Sequence, residues 1–249
     1  MPITEAARHN HDQLFPNHRS VLKETDPELV ELFDNWAFDE VIGDAPLEPR
    51  ARLMVQLAAI IACQAVNEYR VMLGAALTVG VTPVEAKEIV YQAVPYLGMA
   101  RAFDFLHATN DVFRERGIAL TLAGQSRTDP ANRYDAGLAL QHRILGDRVD
   151  QMIQQAPTDQ QHIQRYLSAN CFGDYYTRGG LDLATRELLT FSMLTALGGC
   201  EPQVAAHVAA NVAVGNDRAV LTAVATQLLP FIGYPRTLNA LRAIHEATR

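Results

Sequence analysis

Apolar residues recur along this chain at the three- and four-residue spacing that places them on one face of an α-helix. Near the N-terminus, the pair Asp26-Pro27 is typical of a helix start, because aspartate caps the first turn and proline fits its first position. The apolar positions that follow are Leu29, Leu32, Phe33 and Trp36. The strict alternation of a half-buried strand is absent from the sequence. The pattern therefore predicts an all-α protein with short connections.

The next helical stretch, over residues 50–77, carries apolar side chains at helical spacing and a predicted break near Gln64. Thr82 and Glu85 then have the spacing of a capping box, in which each side chain bonds the backbone N–H of the other residue. The helix that this box opens is expected to end near Pro95, since proline cannot continue the hydrogen bonding of a helix.

The second half of the chain repeats this plan. Asp182 is a predicted cap for a helix over residues 183–197, and a further helix follows over residues 204–214. Asn216 and Asp217 stand at the place of the capping box and can cap the helix after them.

A direct repeat underlies this similarity. Residues 92–101 and 227–236 share Gln, Pro, Gly and Arg at one spacing, at a shift of 135. Upstream the shift is 134, as in Arg52 and Arg186, so one residue is inserted between Arg52 and Met72. Helical periodicity alone does not fix four such residues together, so the repeat indicates two copies of one domain.

The repeat sets the expected domain boundaries. We place the first copy at residues 20–116 and the second at residues 134–249, related by a pseudo-twofold axis. Residues 117–133 contain helix breakers such as Gly124 and Pro130, so they are the predicted linker.

Charge and cysteine usage narrow the function classes. The chain has 28 acidic and 21 basic side chains, a formal net charge of −7, which argues against binding nucleic acid. Cys63, Cys171 and Cys200 lie too far apart for a CxxC metal or redox pair, so we expect neither a metal nor a cofactor. The longest apolar run, residues 57–63, is too short to cross a membrane. We therefore expect a cytoplasmic protein.

Several segments of the second copy together resemble the carboxymuconolactone decarboxylase family. Residues 171–181 (CFGDYYTRGGL) resemble its "WGxxWxRPGL" segment, and residues 185–189 (TRELL) resemble its "TRxLL" helix start. Residues 203–208 (QVAAHV) resemble its "ELxxH" motif, and residues 227–233 resemble its closing "QxxxYxG". Residues 134–149 resemble the helix that opens such proteins. The first copy shows the same resemblance more weakly.

The resemblance implies a fold, an activity and an assembly. The fold is the alkylhydroperoxidase D-like helical domain, here in two tandem copies. The implied activity is that of a lyase, which decarboxylates a small lactone or organic acid of aromatic catabolism. Single-domain members assemble as rings, often hexamers, so a tandem chain is expected to form a homotrimer with six pseudo-equivalent domains.

The resemblance also implies catalytic residues. His207 matches the family histidine and is the expected proton donor, although a histidine in so apolar a stretch can also be a core residue. Gln203 stands where the family has a glutamate, one turn before the histidine, and it can orient an imidazole but cannot carry charge. In the first copy Glu68 stands at the glutamate position, but Met72 replaces the histidine. One hypothesis is a composite site in which Glu68 meets His207 across a copy–copy interface.

Substrate-binding candidates lie in the segments before the histidine helix. Arg186, which Arg52 matches in the first copy, can clamp a substrate carboxylate or form a salt bridge between helices. Arg178 and Tyr175 lie in the segment that resembles "WGxxWxRPGL", where they could reach a ligand.

Two alternative functions stay open. Cys200 stands where peroxidase relatives place the first cysteine of a CxxC pair, but Gln203 occupies the second position, so a peroxidase would lack its resolving thiol. The broken Glu-xxx-His pairs also fit a catalytically degenerate protein that binds a small acid or acts as a scaffold.

Overall fold

The computed structural model describes residues 2–16 and 20–248, and it is helical without a strand among them. Its α-helices are α1 (Glu5–Leu14), α2 (Leu22–Thr25), α3 (Pro27–Asn35), α4 (Val41–Asp44), α5 (Pro49–Ala62), α6 (Val66–Thr78), α7 (Pro83–Leu97), α8 (Met99–Glu115), α9 (Arg133–Leu145), α10 (Arg148–Gln155), α11 (Gln161–Tyr166), α12 (Leu183–Leu197), α13 (Glu201–Ala213), α14 (Arg218–Ile232) and α15 (Tyr234–Ala247). Two π-helical segments, Trp36–Glu40 and Leu167–Tyr176, continue α3 and α11, and a 3-10 turn spans Thr158–Gln160. The predicted all-α fold is confirmed.

Most of the predicted helix starts are confirmed by their caps. The Thr82 backbone N–H donates to Glu85 Oε2 at 2.8 Å, and the Glu85 N–H donates to Thr82 Oγ1 at 3.3 Å, which completes the capping box. Asp182 and Asp217 each accept from the backbone N–H three residues later, at 2.7 and 2.9 Å. Helix α3 begins at Pro27, although the Asp26 side chain makes no capping bond.

The predicted break near Gln64 is confirmed, and it locates the inserted residue. Helix α5 has 14 residues and α12 has 15, and each is followed by a three-residue link. Gln64 takes a φ of 60° in the first link. In the second link, Gly198 and Gly199 take φ values of 69° and 70°. The extra residue of the second copy therefore lies at the end of α12. The positions of α12 before it match those of α5 at a shift of 134.

The repeated Pro and Gly end two equivalent helices. Helix α7 continues two residues past Pro95 and ends at Gly98, which has a φ of 83°. Helix α14 likewise passes Pro230 and ends at Gly233, with a φ of 76°. Each proline lies in the last turn, where it removes one backbone hydrogen bond shortly before the helix ends.

The two copies share one hydrophobic core, in which the central helices α5 and α12 pack against each other. Polar contacts at matched positions join the copies from both sides. Gln56 Nε2 on α5 donates to the Gln227 carbonyl at 3.2 Å, and Gln92 Nε2 donates to Thr190 Oγ1 on α12 at 3.3 Å. Gln56 matches Thr190 and Gln92 matches Gln227. The Gln227 side chain also reaches the first copy, where it donates to the Val41 and Ala45 carbonyls at 2.9 and 2.7 Å, so the repeated glutamine has a structural role between the copies.

A closely packed helix pair opens the second copy. Helix α9 lies against the π-helical segment Leu167–Tyr176 at Gly137 and Gly173. A Cβ at Gly137 would stand 1.9 Å from the Ser168 carbonyl oxygen. Helix α1 packs on the π-helical segment of the first copy, although the sequence prediction placed it outside that copy. Every helix of the described residues is too short or too polar to cross a bilayer.

Candidate functional site

A histidine–carboxylate pair lies between helices α12 and α13. His207 Nδ1 is 2.8 Å from Glu187 Oε2, and the Glu187 side chain is completely buried whereas the His207 side chain is 16% exposed. Asn211 Nδ2 donates to the backbone carbonyls of Glu187 and His207, at 3.0 and 2.7 Å. The bond to Glu187 joins α13 to α12 at the pair, whereas the bond to His207 lies within α13.

The burial of Glu187 constrains the proton on His207. Glu187 Oε1 is buried without a hydrogen-bond partner among the described residues, so the contact with His207 is what compensates the buried carboxylate. A carboxylate only accepts hydrogen bonds, so the contact places a proton on Nδ1 between the two side chains. No described residue hydrogen-bonds to Nε2, and the ring is partly exposed.

A chain of hydroxyl groups lies beside this pair. The Tyr96 ring packs edge-on against the His207 ring at 5.3 Å between centroids. Tyr96 OH donates to Tyr176 OH at 2.9 Å, and Tyr176 OH pairs with Thr190 Oγ1 at 2.8 Å. Cys171 Sγ is 3.8 Å from Tyr96 OH. Since Tyr96 belongs to the first copy, both copies contribute to the surroundings of His207.

The side chains of Tyr96, Tyr176 and Cys171 are neutral at physiological pH. Burial raises the pKa values of Tyr96 and Tyr176 well above the ordinary tyrosine value. Burial also raises the pKa of the Cys171 thiol to about 12. These side chains can therefore donate hydrogen bonds but do not act as anions or bases.

A second charged cluster lies on the other side of Thr190. Glu88 of α7 is buried and accepts from Arg186 Nη2 at 2.9 Å. Arg178 donates to the same carboxylate through Nε and Nη2, at 3.0 and 2.9 Å. Arg186 Nη1 also donates to Gln92 Oε1 at 2.9 Å. The cluster joins a glutamate of the first copy to two arginines of the second copy.

The structure gives the imidazole a partner other than the predicted Gln203. The Gln203 side chain is exposed on the first turn of α13, and Nδ1 of His207 faces Glu187 instead. Glu68 is exposed on α6, which packs on α5 and α8, whereas α13 packs on α12 and α15. One chain therefore does not bring Glu68 to His207, and a meeting of the two between chains stays a prediction.

The predicted substrate-binding residues have different surroundings. Arg186 is 1% exposed and its Nη atoms are bonded within the protein, so its geometry favours the salt-bridge alternative, and a substrate contact stays a prediction. Arg178 is partly exposed, stacks over the Tyr91 ring and lines a cavity of about 250 Å³. Tyr175 is half-buried, while its neighbour Tyr176 enters the hydroxyl chain.

The environment of Cys200 disfavours a reactive thiolate. Its thiol donates to the Leu194 carbonyl at 3.4 Å. Burial, and then the nearby Glu201 carboxylate, raise the pKa of Cys200 above the ordinary thiol value. All three cysteines are free thiols, so a redox role for Cys200 finds no support in its surroundings and stays a prediction.

The first copy has an apolar counterpart of this site. At the matched positions Leu53 replaces Glu187, Met72 replaces His207 and Ala76 replaces Asn211. Leu53, Met72 and Ala76 are buried in the shared core. Only the second copy therefore has the histidine–carboxylate pair.

Sequence reasoning missed Glu187, although a signal was present. Helix α12 is almost entirely buried, and its only two charged residues are the neighbours Arg186 and Glu187. A charge inside such a helix needs a partner from another element, and His207 was the nearest candidate in a similarly apolar helix. Among the described residues, no group of three or more His, Cys, Asp or Glu side chains is placed to hold a metal ion.

Comparison with known proteins gives two matches. The sequence model of the Carboxymuconolactone decarboxylase family matches the chain twice, over residues 27–111 and 161–246. A 4-carboxymuconolactone decarboxylase of Acinetobacter baylyi (strain ATCC 33305 / BD413 / ADP1) is 28% identical over 115 residues. That alignment covers 46% of this chain and 85% of the relative, so a protein of this kind corresponds in length to one copy.

Proposed function

Because this chain belongs to the carboxymuconolactone decarboxylase family, we propose that it is a lyase that decarboxylates a small lactone or carboxylic acid of aromatic catabolism. His207 is the proton donor of this proposal. The observation that carries it is the Glu187–His207 pair, a buried carboxylate at 2.8 Å from a partly exposed imidazole.

The reaction requires a proton donor and a means of holding negative charge. The bond between the substrate and its carboxylate carbon breaks, carbon dioxide leaves, and the electron pair is delocalised into the conjugated lactone as a dienolate. A proton from His207 Nε2 then bonds to a different carbon of the dienolate, and the neutral imidazole takes up a proton from solvent. The imidazolium also stabilises the dienolate before the proton transfer.

Glu187 acts through His207 in this scheme. Its carboxylate accepts a hydrogen bond from Nδ1–H, so Nε2 is the ring nitrogen left for the substrate. Asn211 holds the two helices in register at the pair, and Tyr96 limits the rotation of the ring by its edge contact. The first copy, with Leu53 and Met72 at the matched positions, contributes no equivalent pair.

Turnover of lactones tests the proposal. We expect the absorbance of a carboxymuconolactone to fall in the presence of the protein, and His207→Gln to lower kcat about 10²- to 10⁴-fold. His142→Gln is the matched control, because His142 lies near a carboxylate, Asp150, at 3.5 Å on the surface. Full activity of the His207→Gln variant would contradict the proposed mechanism.

Two further measurements, of peroxide consumption and of lactone binding, separate the rival functions. A peroxidase would consume peroxide in the presence of a thiol and lose this activity in Cys200→Ser, but the raised pKa of that thiol opposes such a reaction. Binding of the lactone without turnover would instead identify a degenerate binding protein.

The proposal extends to assembly and compartment. We propose a homotrimer, in which three tandem chains form a ring of six domains and bind a small organic acid or lactone. The free thiols of the three cysteines fit a reducing cytoplasm.

A further inference from the structure

A cavity of about 260 Å³ lies in the second copy between helices α12, α13 and α15. Apolar side chains such as Val204 and Ala240 form part of its lining, and Thr195, Arg236 and Asn239 supply polar groups. Of the described residues that line it, none belongs to the Glu187–His207 pair. The cavity is therefore distinct from the proposed catalytic site.

The cavity exists because two aromatic rings of the first copy are missing. Tyr69 and Phe105 are completely buried there and pack edge-to-face with 5.0 Å between their centroids. Val204 and Ala240 stand at the matched positions of the second copy. The matched helices thus enclose two aromatic rings in the first copy and a cavity in the second.

A hydroxyl group replaces an ethyl branch at the wall of this space. Thr195 matches the buried Ile61 of the first copy, is 3% exposed and lines the cavity. Its Oγ1 has no hydrogen-bond partner among the described residues. An isolated buried hydroxyl is costly, so a ligand that hydrogen-bonds to Thr195 would remove that cost.

The charged side chains that line the cavity favour a ligand with a single carboxylate. Among the described residues, the hydrogen bond of the Arg236 side chain goes to Cys63 Sγ at 3.8 Å, and no carboxylate lies within ion-pair distance. Its remaining N–H groups are therefore available to an anion. Glu201 also lines the cavity and accepts from the Gly199 backbone and, at 3.5 Å, from Asn239 Nδ2. A second carboxylate on the ligand would be repelled by Glu201.

We propose that this cavity binds a small monocyclic aromatic monocarboxylate with a hydrogen-bonding substituent, such as a hydroxybenzoate. The ring occupies the space that Tyr69 and Phe105 fill in the first copy. The carboxylate pairs with Arg236, and the substituent bonds to Thr195. An apolar protein cavity of about 150 Å³ already holds benzene, so this larger cavity can hold a substituted ring.

Calorimetric titration of the full chain with 4-hydroxybenzoate tests the proposal. We expect saturable binding of one ligand per chain, since the Tyr69 and Phe105 rings occupy the matched positions of the first copy. Arg236→Gln should weaken binding about tenfold or more, but should leave the affinity for the neutral 4-hydroxybenzyl alcohol unchanged. Terephthalate, which has two carboxylates, should bind more weakly than 4-hydroxybenzoate.

Two further variants locate the ligand. Thr195→Val keeps the shape of the side chain but removes its hydroxyl, so it should weaken the binding of 4-hydroxybenzoate but not that of benzoate. Val204→Tyr restores a ring of the first copy and should abolish binding, with its fold checked by circular dichroism. His207→Gln should bind as the wild type does, which separates this site from the proposed catalytic one. Three outcomes would overturn the proposal. They are the absence of saturable binding, a Thr195→Val variant whose affinities for 4-hydroxybenzoate and benzoate change by the same factor, and loss of binding in His207→Gln.

Discussion

At the scale of single residues, the histidine–carboxylate pair can be exchanged for the residues of the first copy. Glu187→Leu with His207→Met reproduces Leu53 and Met72. We expect the double variant to lose lactone turnover and to be as stable as the wild type or more stable, by about 1–4 kcal/mol, because a buried polar pair is often replaced by apolar residues without loss.

Denaturant unfolding and the lactone assay measure both effects. Glu187→Leu alone should be the less stable variant, since it leaves His207 next to an apolar side chain without its carboxylate. A double variant that unfolds more easily than this single variant would show that the pair is needed for the fold as well as for the proposed chemistry.

Cys171 offers a pH-dependent test of the surroundings of Tyr96. The thiolate is the reactive form, and burial raises the pKa of Cys171 to about 12. The folded protein should therefore resist alkylation by iodoacetamide at Cys171 at pH 8, and the reaction should accelerate as the pH approaches 12. Peptide mass spectrometry after timed quenching measures it. Rapid modification of Cys171 at pH 8 without unfolding would contradict the described burial.

At the scale of elements, the contact of α9 with the π-helical segment depends on two glycines. A Cβ at Gly137 would stand 1.9 Å from the Ser168 carbonyl oxygen and 2.6 Å from the Gly173 nitrogen. Gly137→Ala should therefore destabilise the protein by at least about 1–3 kcal/mol, since backbone atoms cannot easily move apart. Thermal unfolding followed by circular dichroism measures the loss.

Gly43→Ala is the control for this prediction. Gly43 lies in α4 with nothing within 4 Å of an added Cβ, so alanine there should stabilise the helix by about 0.5–1 kcal/mol. Equal effects of the two substitutions would show that α9 does not pack as described.

The elements themselves were predictable from the sequence to a larger extent than their contacts. The cap at Asp182, the box at Thr82 and the break at Gln64 depend on neighbouring residues, so local patterns suffice to place them. The Glu187–His207 contact joins two helices, and the sequence prediction assigned the histidine to Gln203 because it considered one helix at a time. Whether two helical faces meet depends on the packing of the whole core.

At the scale of the whole molecule, Glu88 joins the two copies electrostatically. Glu88→Gln would leave Arg186 buried without a carboxylate, and we expect a loss of about 3–5 kcal/mol in the free energy of unfolding. Arg114→Gln, which removes an exposed pair with Asp111 at 2.8 Å, should cost less than about 1 kcal/mol. An altered KM with unchanged stability in Glu88→Gln would instead favour the substrate-binding prediction for Arg186.

The contact between Glu88 and Arg186 also shows what one sequence cannot supply. These residues are 98 positions apart and belong to different copies. The repeat predicts that Arg52 and Arg186 are equivalent, but Ala223 stands in the second copy where Glu88 stands in the first, so the matched position offers Arg52 no carboxylate. Equivalent positions therefore have different surroundings in the two copies.

The surface of the tandem chain carries one apolar pattern twice, which bears on the proposed trimer. Met99 and Phe103 on α8 match Tyr234 and Leu238 on α15 at the shift of 135, and all four side chains are exposed by more than half. A ring of chains can cover both patches, because the α8 patch of one chain can lie beside the α15 patch of the next. Light scattering should therefore give three chain masses for the wild type.

Substitution of these patches tests their part in the trimer. Phe103→Lys with Leu238→Lys should give one chain mass, since each interface would then bury charges on both sides. Met152→Lys, an exposed apolar residue on α10, should leave the trimer intact. A wild-type protein with a single chain mass would contradict the trimer, and a trimer that survives the double substitution would place its interface on another surface of the chain.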